Sequence, residues 1–310
     1  MTAQLTANNA VSFSKCKLLY TSEVQQPQVE FLQALVSKHQ LSLSLNTELI
    51  SGKLNQKYRE QLSAEATQPI LLLDDKNKLS WLSNGLSVAP EWDKLQRRVV
   101  SAGRKSELLL QATKISADSY VIDATAGFGH DSLILASTGA QVIMLEQQPL
   151  IALLLLAERE RMSTQPNWQK LMSRLHIINI DALSYFAHRQ DTTTLKTTDA
   201  VNNFDKKSID VVYLDPMFPE DSYQDSKTGK GAKVGKHMQA LHYLACPPTL
   251  AQEQQLLKSA QMLVSSNVID NIKQQGRVIV KRPQHAPLFA HQTPNDSWQN
   301  EAVRFDGYFV

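Results

Sequence analysis

The sequence predicts an α/β chain in which a mostly parallel sheet carries helices on both faces, preceded by a smaller α/β unit. Three observations carry that prediction. From about Asp93 onward, short apolar runs rich in Val, Ile and Leu alternate with longer helical patterns, which is how buried parallel strands and their crossover helices read. The first of these runs opens directly into a glycine turn, "VIDATAGFGHDS", Val121 to Ser132. Four of the runs lead into an acid, as ligand-binding sheets often arrange at the carboxyl ends of their strands.

Taken in order, residues 1–92 hold the smaller unit. "CKLLYTS" reads as a strand, "QVEFLQALVSKHQ" as an amphipathic helix, and "PILLLDDKNKLSWLS" as two strands joined by a polar turn. No chemical constellation falls there. Residues 93–310 form the larger domain. "KSELLLQATKI" reads as a helix, and the strand candidates are "YVIDAT", "QVIMLE", "LHIINID", "DVVYLD", "GRVIVKR" and "RFDGYFV". Helices are expected at "HDSLILAST", "PLIALLLLAERERM" and "AQEQQLLKSAQMLVS". The stretch 189–208, rich in Thr, Asn and Asp, reads as a surface insertion.

Composition narrows the class. The chain has 310 residues, 42% of them hydrophobic and 20% charged, with a net charge of +2, the profile of an ordinary globular protein. Cys16 and Cys246 stand far apart with no C-x-x-C pair, which argues against a disulfide framework or a structural zinc site and fits a reducing cytoplasm. No metal is expected, since His237, His242 and His285 lack ligand spacing with any neighbouring Cys or acid. The longest apolar run, Leu150 to Ala157, is eight residues, far short of the ~20 that a membrane span needs. Basic residues cluster locally, at Lys94, Arg97, Arg98, Arg104 and Lys105 and again at Lys227, Lys230, Lys233 and Lys236. Such patches can bind phosphates where the total charge does not announce it.

Three ligand classes use a glycine turn after the first strand. A dinucleotide fingerprint wants a third glycine where Ser132 stands. A nucleoside triphosphate loop fails on spacing, because Gly229 and Gly235-Lys236 are separated by five residues and His237 follows where a hydroxyl belongs. S-adenosylmethionine fits: Gly127 and Gly129 let the backbone approach it, with Asp123 orienting the turn and approaching the ammonium side. Glu146 is placed to accept from both ribose hydroxyls, and Asp181 to meet the adenine amine.

The fourth run, "VVYLDPMFPE", separates a methyltransferase from its rivals. An exocyclic amine of a base is a poor nucleophile, since its lone pair is delocalised into the ring. Asp215 can accept an amine hydrogen, the Pro216 carbonyl in a stiffened turn can accept another, and Phe218 can stack the base. These acceptors would stabilise the charge that develops as the methyl arrives.

The segments "DATAGFGHDS", "LASTGAQVIMLEQQP", "VVYLDPMFP" and "VIVKRPQHAP" together resemble the bacterial small-subunit ribosomal RNA methyltransferase J family, over roughly Arg97 to the C-terminus. The resemblance implies a Rossmann-like S-adenosylmethionine-dependent methyltransferase fold with a mostly parallel seven-stranded sheet. It implies methyl transfer to N2 of a guanine in 16S rRNA, with that RNA or the small ribosomal subunit as partner. It adds His130, Asp131, Gln147 and Ala182 to the cofactor contacts at Glu146, Asp181 and Asp215. Two positions depart from common patterns. Thr125 takes the first glycine position of D/E-x-G-x-G-x-G, and His130 stands where the family often has Arg. Lys227, Lys230, Lys233 and Lys236 are candidate RNA contacts. Lys281 and Arg282 are expected either to clamp RNA or to pair with the strand-end acids. The alternatives are methylation of an adenine amine, an NAD-dependent oxidoreductase, and a non-catalytic RNA-binding assembly factor.

Overall fold

The computed structural model describes residues 3–5, 11–51, 54–103, 105–190, 207–218, 235–265, 268–269, 272–273 and 275–310. The chain divides into two compact units: 1–93 with 148–172 and 234–246, and 94–147 with 173–233 and 247–310. The sequence placed its boundary at 92/93, and the chain first leaves the smaller unit after Asp93. Residues 148–172 and 234–246, assigned from sequence to the larger domain, group instead with the smaller unit.

In the smaller unit, strands β1 (Ala3–Leu5) and β2 (Val11–Phe13) form an antiparallel pair. Strands β3 (Lys15–Tyr20), β4 (Ser44–Leu49), β5 (Ile70–Leu73), β6 (Leu79–Ser83) and β7 (Leu86–Val88) make a sheet in the order β4-β3-β5-β6-β7. Helices α1 (Gln26–Lys38) and α2 (Gln56–Glu65) belong to it. So do the short α7 (Gln169–Met172) and α6 (Pro149–Ser163), the latter with every residue from Pro149 to Glu158 buried. A helix apolar on all sides needs such cover. Its one buried acid, Glu158, takes both Arg161 nitrogens at 2.8 Å and the Trp92 amide at 3.2 Å.

The larger unit holds α3 (Gln96–Ser101), α4 (Leu108–Thr113), α5 (His130–Ser137) and α8 (Ala182–Gln190), with a longer helix at Leu250–Ser265. Its strands are β8 (Tyr120–Asp123), β9 (Gln141–Leu145), β10 (Leu175–Ile178), β11 (Val211–Leu214), β14 (Arg277–Pro283), β15 (Asp296–Gln299) and β16 (Val303–Phe309). The sheet order is β10-β9-β8-β11-β14-β16-β15. The first five strands are parallel, and β16 and β15 are antiparallel additions. The sequence reading of the individual elements omitted β15, whose polar, largely exposed "DSWQ" lacks the apolar run of a buried strand. A short pair, β12 (Val268–Ile269) and β13 (Ile272–Lys273), precedes β14.

Strand alternation decides which side chains meet. Ile122, Ile143, Leu145, Val212, Leu214, Val278 and Val280 share one core cluster with Tyr185 and Phe186 of α8 and with Leu257, Ala260, Leu263 and Val264 of the long helix. Side chains of opposite parity face the other way. Asp123, Tyr213 and Lys281 therefore share the second face, the one α5 covers. Asp123 pairs in register with Tyr213, and Tyr213 with Ile279. The chain leaves β8 toward β9 and β10, then returns to β11 on the other side, so the order reverses between β8 and β11. Doubly wound sheets bind their ligands at that crevice.

Candidate active site

The glycine turn follows β8. Gly127 (φ +52°) and Gly129 (φ +74°) lie in the left-handed region, which a side chain disfavours by roughly 1–2 kcal/mol. Two backbone bonds tie the turn to the sheet, Ala124 N–H to the Tyr213 carbonyl at 2.9 Å and Ala126 N–H to the Leu145 carbonyl at 3.1 Å. Glu146, only 8% exposed, accepts from the Gly127 amide at 3.1 Å. The acid expected to face a ribose thus also anchors the turn from the end of β9. Asn179 ties this edge to β10 by donating to the Glu146 carbonyl at 2.8 Å.

Asp123 is fully buried. Its carboxylate accepts from the Ser132 hydroxyl at 2.5 Å and from the Thr125 amide at 3.3 Å. Burial, reinforced by the charges of Asp131 and Asp215, pushes it up to about 7 against these hydrogen bonds. It ties the start of the turn to α5 through the Thr125 amide and the Ser132 hydroxyl; enclosed with Ser132, it is not presented to an ammonium group.

The second half of the site follows β11. The Asp215 amide donates to the Thr125 hydroxyl at 2.6 Å, so the residue that departs from the glycine pattern links the two loops flanking the crevice. Lys281, from β14, donates to Asp131 Oδ2 and Asp215 Oδ2, each at 2.8 Å. Asp131, in the first turn of α5, also accepts from the Tyr213 hydroxyl at 2.7 Å. The two acids settle differently. Burial raises both, but Lys281, the Tyr213 hydroxyl and the Arg98 charge bring Asp131 below the ordinary carboxylate range. Asp215 stays above its usual range: burial and the Asp131 charge outweigh Lys281. Burial lowers Lys281, and the two carboxylates more than offset it, so it stays a firm cation. Tyr213 is held well above the usual phenol range by burial and the three surrounding acids.

Other expected residues sit differently. Asp181 is exposed and accepts from the Ser184 amide at 2.9 Å, which starts α8. Ala182 is the first residue of that helix and Gln147 is exposed. His130 opens α5 and is half-buried. Phe218 does not present a stacking face. It is 4% exposed, with the Arg282 guanidinium 4.8 Å from its ring centre. Arg282, 6% exposed, pairs with Glu253 at 3.0 Å and donates to the Pro287 carbonyl at 3.1 Å. Lys281 pairs with one strand-end acid, Asp215, and with Asp131 of α5, whereas Arg282 pairs with a helix acid and packs over the Phe218 ring of the Asp-Pro-Met-Phe turn. Lys227, Lys230, Lys233, Arg104 and most of the 189–208 stretch lie outside the described residues, as does the Lys236 side chain.

Sequence reasoning passed over Ser132 and Tyr213 as site residues. Their signal was parity: a phenol two residues before Asp215 on a buried strand, and a hydroxyl one turn into the helix that follows the glycines. Among the described residues no group of His, Cys, Asp and Glu has the arrangement to hold a metal ion, and no helix is long and apolar enough to cross a membrane.

A glycine turn at a topological switch point, acids at or just beyond four successive strand ends and two antiparallel closing strands define the class, and comparison with known proteins agrees. The profile of a family described as putative SAM-dependent methyltransferases matches residues 51–310, and the chain belongs to that family; it is an S-adenosylmethionine-dependent methyltransferase. Within it, the chain belongs with the ribosomal RNA small subunit methyltransferases J. It is 72% identical to the one from Psychrobacter arcticus over 95% of this chain and 96% of that one. It is 34% identical to the one from Acinetobacter baumannii strain SDF over 92% and 91%. A solved SAM-dependent methyltransferase from Neisseria gonorrhoeae shares the fold, with a TM-score of 0.60 and 23% identity over 94% of this chain and 95% of that one. Membership in this family sets aside the oxidoreductase reading.

Proposed function

We propose that this chain methylates the exocyclic N2 of a guanine in small-subunit (16S) ribosomal RNA, in the cytoplasm, with Asp215 and the Pro216 carbonyl as acceptors for the amine hydrogens. The observation that carries this reading is the placement of Asp215. It lies beyond β11 at the switch point, tied to the glycine turn through Thr125 and still 26% exposed.

The residues present suit the methyl donor. Gly127 and Gly129 allow close backbone approach, Glu146 and Gln147 follow β9, Asp181 and Ala182 follow β10, and His130 and Asp131 open α5. Bound there, S-adenosylmethionine supplies an electrophilic methyl group on a sulfonium. Asp215 and the Pro216 carbonyl hold the amine so that its lone pair points at that methyl, and this positioning contributes much of the rate. Transfer would form the N–C bond as the donor's C–S bond breaks, and positive charge would then develop on the amine nitrogen. The fixed acceptors stabilise it there, and one amine proton leaves to Asp215 and then to water. Phe218, under Arg282, anchors the turn that carries these acceptors.

Tritiated methyl transfer to small subunits, and to their purified RNA, from cells lacking the protein tests the proposal after digestion to nucleosides. Label in N2-methylguanosine supports it. Label in methyladenosine, or none, overturns it. Asp215→Ala should lose turnover by about 100-fold or more with unchanged folding, and near-normal turnover would remove Asp215 from the mechanism.

A further inference from the structure

We infer that Lys281 is a positioning residue for methyl transfer: its ammonium fixes Oδ2 of Asp215 as part of a carboxylate and leaves Oδ1 to accept from the target amine. The inference rests on Asp215 as the amine acceptor and adds what holds that acceptor in its working form.

The geometry is specific. Strand alternation puts Lys281 on the α5 face, two residues beyond Ile279, whose register partner is Tyr213. From there one Nζ reaches Asp131 Oδ2 and Asp215 Oδ2 at 2.8 Å each, bridging the element after the glycine turn to the element after β11. Asp131 is itself held from the far side by the Tyr213 hydroxyl, so Lys281 is braced against a carboxylate fixed by β11 and α5. Arg98 of α3 adds positive charge at longer range, and its guanidinium is taken by Glu107 through two bonds of 2.8 Å.

The titratable groups around Asp215 show why a cation is needed. Asp123 from β8, Asp131 from α5 and the Tyr213 phenol from β11 press on this small volume, with His130 beside Asp131 in the chain. Burial and the Asp131 charge favour protonated Asp215, and Lys281 opposes them. A protonated Asp215 would be a poorer acceptor for an amine hydrogen and no base for the departing proton. Without the cation, the acid titration that limits turnover should move upward, since an opposite charge at this distance lowers a carboxyl by about 1–3 pH units.

The test uses the full chain with tritiated donor and the ribosomal RNA substrate, in single turnover, from pH 5.5 to 9.5. Lys281→Met and Lys281→Gln should each lower turnover at pH 7 by about tenfold or more and displace the acid limb upward by about one unit or more. Turnover should recover toward high pH, and donor affinity should stay within about threefold. Lys281→Arg should restore the wild-type limb. If the neutral variants keep the wild-type limb, the inference fails, whether their rates are normal or uniformly low. The Gln variant keeps the test open should the Met variant not fold, and a melting curve reports folding for each. An active Asp215→Ala variant would instead sink the reading of Asp215. Loss of activity in Asp215→Ala with an unmoved limb in the Lys281 variants sinks this inference alone.

Discussion

Replacing Asp123 by Asn should change how stability depends on pH. The folded carboxyl stands at about 7 against an ordinary value of 3.8. The folded state therefore binds more protons than the unfolded state between these values, and stability falls as pH rises through that window. Asp123's favourable contribution is complete below about pH 4 and is lost as pH passes 7. At about 1.4 kcal/mol per unit, ionisation of this one group takes about 2–3 kcal/mol from the folded chain between pH 5 and pH 8. Asn keeps a carbonyl for the Ser132 hydroxyl and the Thr125 amide but has no such titration. Urea unfolding of both proteins at pH 5, 6, 7 and 8 isolates the term, because Asp131, Asp215 and Lys281 are common to both. The stability of the Asn variant relative to wild type should climb by about 2–3 kcal/mol across that range. Parallel curves would show that Asp123 does not change protonation between the two states in this window.

Two further outcomes follow from the hydrogen bonds around the crevice. Thr125→Val leaves the Asp215 amide without its acceptor, should lower stability by about 1–3 kcal/mol, and should reduce turnover more than donor affinity; Thr125→Ser should behave as wild type in both melting and turnover. Arg282→Met leaves Glu253 largely buried without its cation, though still accepting from the Ala290 amide at 2.8 Å. It should cost about 3–5 kcal/mol in chemical denaturation with donor affinity retained, and a loss under 1 kcal/mol would refute the assignment of that pair.

The sheet was legible because its strands are buried on both faces, so "YVIDAT" and "QVIMLE" stand out by composition alone. An exposed antiparallel strand such as β15 has no such signature, and α8 is hidden behind Asp181, which reads as a strand-end acid and also caps the helix. The strand-end acids could be found one by one, yet their partners depend on parity across four strands. Only the register brings Tyr213 beside Asp123 and Lys281 onto their face. Phe218 shows the reverse limit. An aromatic residue after Asp-Pro reads as a stacking surface, but the ring is covered by Arg282, 64 residues later in the chain. The two departures from pattern also differ in weight, since Thr125 ties two loops together and a hydroxyl is what that tie requires.

The interleaving of the two units bears on how the chain is made. The smaller unit begins at the N-terminus but includes 148–172 and 234–246, and α6, with its unbroken apolar run, is part of its interior. A ribosome that has released residue 93 has therefore not released the rest of that interior. At about 5–20 residues per second, the last segment follows roughly 8–30 seconds later. Until then the early strands emerge without their full complement of apolar cover. A fragment cut at residue 93 should likewise remain unfolded and sticky, while the intact chain can complete the smaller unit only once synthesis has passed residue 246.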